Sequence, residues 1–362
     1  MELFKTRKRF DIVHYVPFLL GAAAVILVAA LLVLLWPRGE RSVSRSAVKE
    51  LPVPVDATYA VFESGIVYID KSAGALYYMD DRMETMWGFS GTTDDMRLYT
   101  GAGRVGVAGA KKLQVIDKDG NLVFTKEFER AILDVAMGEK LIAVRLSQSD
   151  ETILLNTTGE EIDRIISGSN ETIIRFGVYA TGSVWVITVE NAGYAPVYRL
   201  STYKYEKEKT QTANFEEDGQ MIYNAAFDDN LCYLFGTGTI LVRDCDYTDS
   251  VHKDYTVNGF DVADYGMQGK KLHLLLLGSG RLKAISDSGV KDFSCPEELL
   301  GAALSKSYYY GFSSYYLYRI SPQSGQCTTY RFPLRVDALI NGNGFVLVES
   351  DGKLFYYALG NG

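Results

Sequence analysis

Histidine is scarce: the chain has 3 in 362 residues. His14 stands beside a long apolar run, His252 lies in a polar stretch, and His273 sits inside Leu272-His273-Leu274-Leu275, where a core role fits better than a ligand. Neither a G-x-S-x-G elbow nor an H-E-x-x-H pair occurs, so the usual serine-hydrolase and zincin signatures are excluded. The four cysteines, Cys232, Cys245, Cys295 and Cys327, show no metal-ligand spacing and no adjacent pair. Buried thiols and disulfides remain equal readings, with Cys232 and Cys245 able to face each other within one hairpin. Basic residues are also short: 8 fall in residues 1–50, leaving 29 against 41 acidic ones in 51–362, a net of −12. So acidic a surface fits nucleic acid poorly and favours cations and basic proteins.

Two apparent motifs are turns on closer reading. Gly101-Ala102-Gly103-Arg104-Val105-Gly106 matches G-x-G-x-x-G, but a dinucleotide site needs a helix to follow, and another strand pattern follows here. Asp117-Lys118-Asp119-Gly120-Asn121 begins like a calcium loop, yet Arg130 falls near its closing position, which leaves a hairpin turn.

What the chain has is a run of 21 uncharged residues, 16–36, with Tyr15 and Trp36 at its ends. A helix of about 20 apolar residues crosses a bilayer, and a signal peptide would have a shorter core of about 7–15. We therefore read a cytoplasmic basic tail (1–15), an uncleaved transmembrane helix (16–36), a linker (37–50) and a head (51–362). Lys5, Arg7, Lys8 and Arg9 precede the span and Arg38, Arg41, Arg45 and Lys49 follow it, so basic counts do not separate the sides. The tighter cluster on a short tail before the span and the long domain behind it give the expected topology, N-terminus inside and head extracytoplasmic.

The head repeats. Ile66-Val67-Tyr68-Ile69, Val105-Gly106-Val107-Ala108, Leu141-Ile142-Ala143-Val144, Val184-Trp185-Val186-Ile187, Leu231-Cys232-Tyr233-Leu234, Leu272-His273-Leu274-Leu275, Tyr308-Tyr309-Tyr310-Gly311 and Phe345-Val346-Leu347-Val348 recur at spacings of 36 to 47 residues. A period near 40 residues is that of a four-stranded propeller blade. Apolarity on both strand faces fits a strand pressed between neighbouring blades. Asp119-Gly120, Thr158-Gly159, Ser288-Gly289 and Ser324-Gly325 mark later hairpins. The predicted class is an all-β, eight-bladed β-propeller, with seven blades as the alternative if the irregular unit after Val184 is an insertion. The last unit lacks a strand, and Leu51-Pro52-Val53-Pro54-Val55 is expected to supply it as an outer edge.

Gly74-Ala75-Leu76-Tyr77-Tyr78-Met79-Asp80, with Trp87 seven positions on, resembles the repeat of quinoprotein-type (PQQ-like) propellers. The segment from Asp351 to Leu359 resembles it too, without the tryptophan. By layout, nearly the whole chain resembles a family of single-span membrane proteins with β-propeller heads from Gram-positive bacteria. The first resemblance implies fold; such blades occur in dehydrogenases and in non-enzymatic scaffolds alike.

Two features are candidates for binding. Asp56, Asp95, Asp134, Asp264 and Asp337 precede the second strands of their units by 7 to 10 residues. That offset places them on or near the innermost strands, where they form either a negative channel mouth or five separate turn caps. Tyr308, Tyr309, Tyr310, Tyr315, Tyr316 and Tyr318 either pack between blades or offer stacking surface to a glycan or protein. The favoured function is a membrane-anchored, non-enzymatic protein-binding or scaffold module with no cofactor. The alternative is a propeller enzyme, acting with a quinone cofactor or on glycans.

Overall fold

The computed structural model describes residues 41–360, apart from 55, 93–94, 150, 180–181, 192, 194, 206–208, 229–230, 246–250, 269 and 287–288. The expected tail and transmembrane helix lie outside the described residues. Among the described residues, no helix is long and apolar enough to cross a membrane.

Eight antiparallel four-stranded sheets follow one another along the chain, giving an eight-bladed β-propeller. Blades 1 to 7 span residues 58–90, 97–127, 132–166, 171–217, 222–256, 261–294 and 301–331; blade 8 combines 338–358 with 48–50. The first strand of each blade is innermost, and inner strands of neighbouring blades run side by side around the axis. All eight sequence-predicted second strands occupy the second place in a blade. The unit after Val184 is a full blade whose strands are long, with 9, 8, 9 and 9 residues.

Burial changes across a blade as the surroundings of each strand dictate. Second strands such as Leu231–Gly236 are buried along their whole length. Outer strands such as Cys327–Arg331 alternate exposed and half-buried, as one wet face requires. The core is accordingly divided into eight apolar wedges, one between each pair of neighbouring blades. Ile66, Tyr68 and Met79 of blade 1 meet Phe345, Leu347 and Tyr356 of blade 8 in the wedge that completes the circle. The clustered tyrosines mostly pack: Tyr309, Tyr310 and Tyr318 are buried, while Tyr315 is exposed.

Ring closure differs from expectation by a few residues. The outer strand of blade 8 is Val48–Glu50, with Val48 opposite Tyr357 and Glu50 opposite Phe355. Leu51 adds one backbone bond to Leu354 at 2.9 Å, and Pro52 and Pro54 lie beyond the ladder. Proline has no N–H to donate, so pairing stops where the prolines begin. The paired strand thus falls inside the segment read as linker.

Blades are also pinned at their outer edges. The Trp87 indole of blade 1 donates to the Lys118 carbonyl of blade 2 at 2.9 Å and lies over Gly120. Gly120 has φ +88°, and a Cβ there would stand 2.7 Å from Trp87 Cγ. Phe124 covers Gly159 (φ +86°) in the same way one blade later. Each glycine is required twice, by left-handed backbone and by the ring against it. The two apparent motifs are turns: Asp117 Oδ1 accepts the N–H groups of Asp119 and Asn121 at 3.0 and 2.8 Å, and Ala102-Gly103 joins the first two strands of blade 2. Cys232 pairs with Arg243, and none of the four cysteines is in a disulfide.

Candidate functional site

The five aspartates divide into two groups. Asp337, Asp56 and Asp95 lie in the turns that lead into the inner strands of blades 8, 1 and 2, three consecutive blades. Asp56 and Asp95 are exposed. Asp337 accepts the Asp351 N–H at 2.9 Å and stands 3.1 Å from the Arg335 guanidinium. All three stand where inner strands begin, in neighbouring blades.

Asp134 and Asp264 instead lie within the inner strands of blades 3 and 6. In both strands one residue bulges just before the aspartate, at Leu133 and Ala263. The intervening blades bulge at the same place, at Ile174 in blade 4 and Tyr223 in blade 5. The residues that follow are Arg175 and Asn224. Four consecutive inner strands therefore present Asp134, Arg175, Asn224 and Asp264 at equivalent positions. A bulge adds a residue to one strand, increases its twist and re-aims the side chain beyond it.

Among the described residues, two cavities of similar size are lined by inner strands. One of about 680 Å³ is lined by blades 2 to 6, including Asp134, Arg175, Tyr179, Asn224 and Tyr265. The other, about 670 Å³, takes in Asp264, Tyr265, Gln268, Lys306 and Asn341 from blades 6 to 8. Tyr265 lines both. Asn224 hydrogen-bonds its hydroxyl, and burial raises the phenol above its ordinary value against the pull of nearby Arg175. Tyr179 stacks on Phe227 at 3.9 Å between ring centroids, forming an aromatic wall of the first cavity. Among the described residues, no three acidic, histidine or cysteine side chains gather closely enough to hold a metal ion. Arg175, Asn224 and Tyr265 were not singled out from the sequence.

Asp264 couples blade 6 to blade 7. Its Oδ2 accepts the Leu304 N–H at 2.7 Å, and its Oδ1 the Tyr265 N–H at 2.9 Å. Burial outweighs these bonds and raises its pKa from 3.8 to about 6. The unfolded chain releases this proton near pH 4. The stabilisation tied to protonated Asp264 is thus complete below about pH 4 and is lost as pH rises to about 6. Asp264→Asn should flatten the stability–pH curve across that window, removing a slope worth at most about 3 kcal/mol. Urea unfolding from pH 4 to 7 checks it; an unchanged slope would place the titration elsewhere.

No family model matches the chain, and neither does any curated protein. Solved structures do. The computationally designed Ika8 protein is 14% identical over 88% of this chain and 100% of its own, with a TM-score of 0.61. BamB from Moraxella catarrhalis is 10% identical over 87% of this chain and 98% of its own, at 0.57. The dihydro-heme d1 dehydrogenase NirN is 12% identical over 90% of this chain and 83% of its own, at 0.55. At such identities the likeness is one of fold, and it spans a designed protein and a dehydrogenase.

Proposed function

We propose that the protein is a membrane-anchored, extracytoplasmic propeller that works as a non-enzymatic protein-binding module. Its partner offers a basic surface to the acidic rim of blades 8, 1 and 2. The observation that carries this reading is the run of Asp337, Asp56 and Asp95 at the starts of three consecutive inner strands, on a head whose residues 51–362 have a net charge of −12. Complementary charge of this kind steers encounter and sets register. The uncharged run 16–36 supports the anchor.

Crosslinking in the native cells, purification of the full chain and mass spectrometry test the proposal. The wild type should recover one reproducible membrane or extracytoplasmic protein. Asp56→Asn, Asp95→Asn and Asp337→Asn together should lower that recovery about tenfold and weaken its salt dependence. Equal recovery by the two chains, or recovery of wall glycan alone, would refute the rim as the docking surface.

A further inference from the structure

The rim reading leaves the cavity of blades 2 to 6 unused, although its wall is built with more care than packing requires. A propeller blade needs no bulge in its inner strand: the inner strands of blades 1, 2, 7 and 8 pair with their neighbours in unbroken register. Blades 3 to 6 each carry one, at the same position, and each places a polar residue immediately after it. The corresponding sequences are Ile132-Leu133-Asp134, Ile173-Ile174-Arg175, Ile222-Tyr223-Asn224 and Val262-Ala263-Asp264. An apolar first residue and a polar third residue recur, while the third residue changes its charge from blade to blade. A shared structural cap would keep one residue type; aspartate, arginine, asparagine and aspartate in turn at one position suit the recognition of an asymmetric ligand.

The chemistry of the wall is specific. Arg175 is exposed, lines the cavity, and among the described residues is bonded to no carboxylate. Guanidinium offers a planar fork that matches a carboxylate. Tyr265 stands near it on the same cavity, with Asn224 bonded to its hydroxyl. Asp134, one blade before Arg175, lines the same cavity. It accepts the Val135 N–H through Oδ1 and keeps a second oxygen. A cavity of about 680 Å³ lies within the range of about 300–1,000 Å³ that takes small ligands. Trp185, Tyr179 and Phe227 supply apolar surface beside the polar groups.

We propose that this cavity is a receptor site for a short zwitterionic, peptide-like ligand, with its carboxylate on Arg175 and Tyr265 and its ammonium on Asp134. The site goes beyond the rim interface: it is lined by inner strands, is formed by other blades, and binds by pairing two opposite charges. A dianion is repelled by Asp134 and a dication by Arg175, so the cavity selects molecules that carry both signs a few bonds apart.

Calorimetric titration of the full chain in detergent with dialanine, its C-terminal amide and its N-acetyl derivative provides the test. Dialanine should bind, and each capped form should bind about tenfold more weakly, as expected when one charge-assisted hydrogen bond is lost. Arg175→Gln should weaken dialanine and abolish the distinction between dialanine and its amide. Asp134→Asn should abolish the distinction between dialanine and its N-acetyl form. Both side chains lie on the cavity wall, and unchanged thermal melting of the variants shows that they fold. No heat with dialanine, or binding indifferent to both caps and both substitutions, would overturn the proposal. Neither result touches the rim, whose test reads protein recovery through different residues.

Discussion

Phe312→Ala should lower the stability of the propeller by about 3–5 kcal/mol, the cost of removing a fully buried ring and leaving its space unfilled. Phe312 is 0% exposed and lies in the second strand of blade 7. Its ring meets Phe332 edge-on at 5.9 Å and Tyr357 at 6.5 Å, which ties blade 7 to blade 8. Neighbours cannot collapse into the gap, because strand pairing holds both walls of the wedge in register. A loss of this size is a large share of the ~5–15 kcal/mol that stabilises a typical domain. Urea unfolding should therefore move to a much lower midpoint. Tyr315→Ala is the matched control: Tyr315 is 52% exposed in the same blade, and its removal should stay within about 0.5 kcal/mol. Equal shifts in the two variants would mean that the wedge is not the source of stability.

The second large effect should come from Val48→Asp. Val48 is 5% exposed, in the strand that completes blade 8, and packs in one cluster with Tyr310, Val346 and Phe355. A carboxylate placed there loses water and gains no compensating partner, which costs several kcal/mol, on the order of 3–5. The loss should be local before it is global. Hydrogen exchange should speed first in the strands Phe345–Ser350 and Lys353–Ala358, with blade 4 protected for longer. Uniform acceleration over all eight blades would instead show that the ring opens only as a whole. Val48→Ala leaves the site apolar and should cost far less.

The fold was legible where one strand must satisfy two neighbours. A second strand is covered on both faces, so its sequence is continuously apolar, and eight such runs stand out from a variable background. Hairpin glycines were legible for a related reason, since Gly120 and Gly159 have no substitute at positive φ beneath an aromatic ring. The closing strand was placed a few residues late. Pro52 and Pro54 suit an edge, but they mark the point at which the ladder ends. The candidate site was half legible. Asp134 and Asp264 stand 7 and 8 residues before the next apolar strand, and Asn224 and Arg175 stand 7 and 9 before theirs. A search by residue type gathers the aspartates and misses the other two, because the equivalence is one of position. Bulges hide it further: one extra residue leaves no mark on composition or period.

The seam of blade 8 also sets an order of events. Lys353 reaches Glu50 at 2.7 Å across 303 positions of sequence, and Val48 pairs with Tyr357 over a similar span. Joining ends so far apart carries a loop-closure cost that grows only slowly with length, but it can happen only after the final strand exists. During synthesis the early blades can stack as each is completed, while residues 48–50 wait unpaired for nearly the whole chain to be made. For that interval blade 1 carries an uncovered wedge, with Ile66, Tyr68 and Met79 facing solvent until Phe345 and Leu347 arrive. The period of greatest risk for this molecule is therefore the time before its last blade, when an almost complete ring is open at one joint and has sticky surfaces on both sides of it.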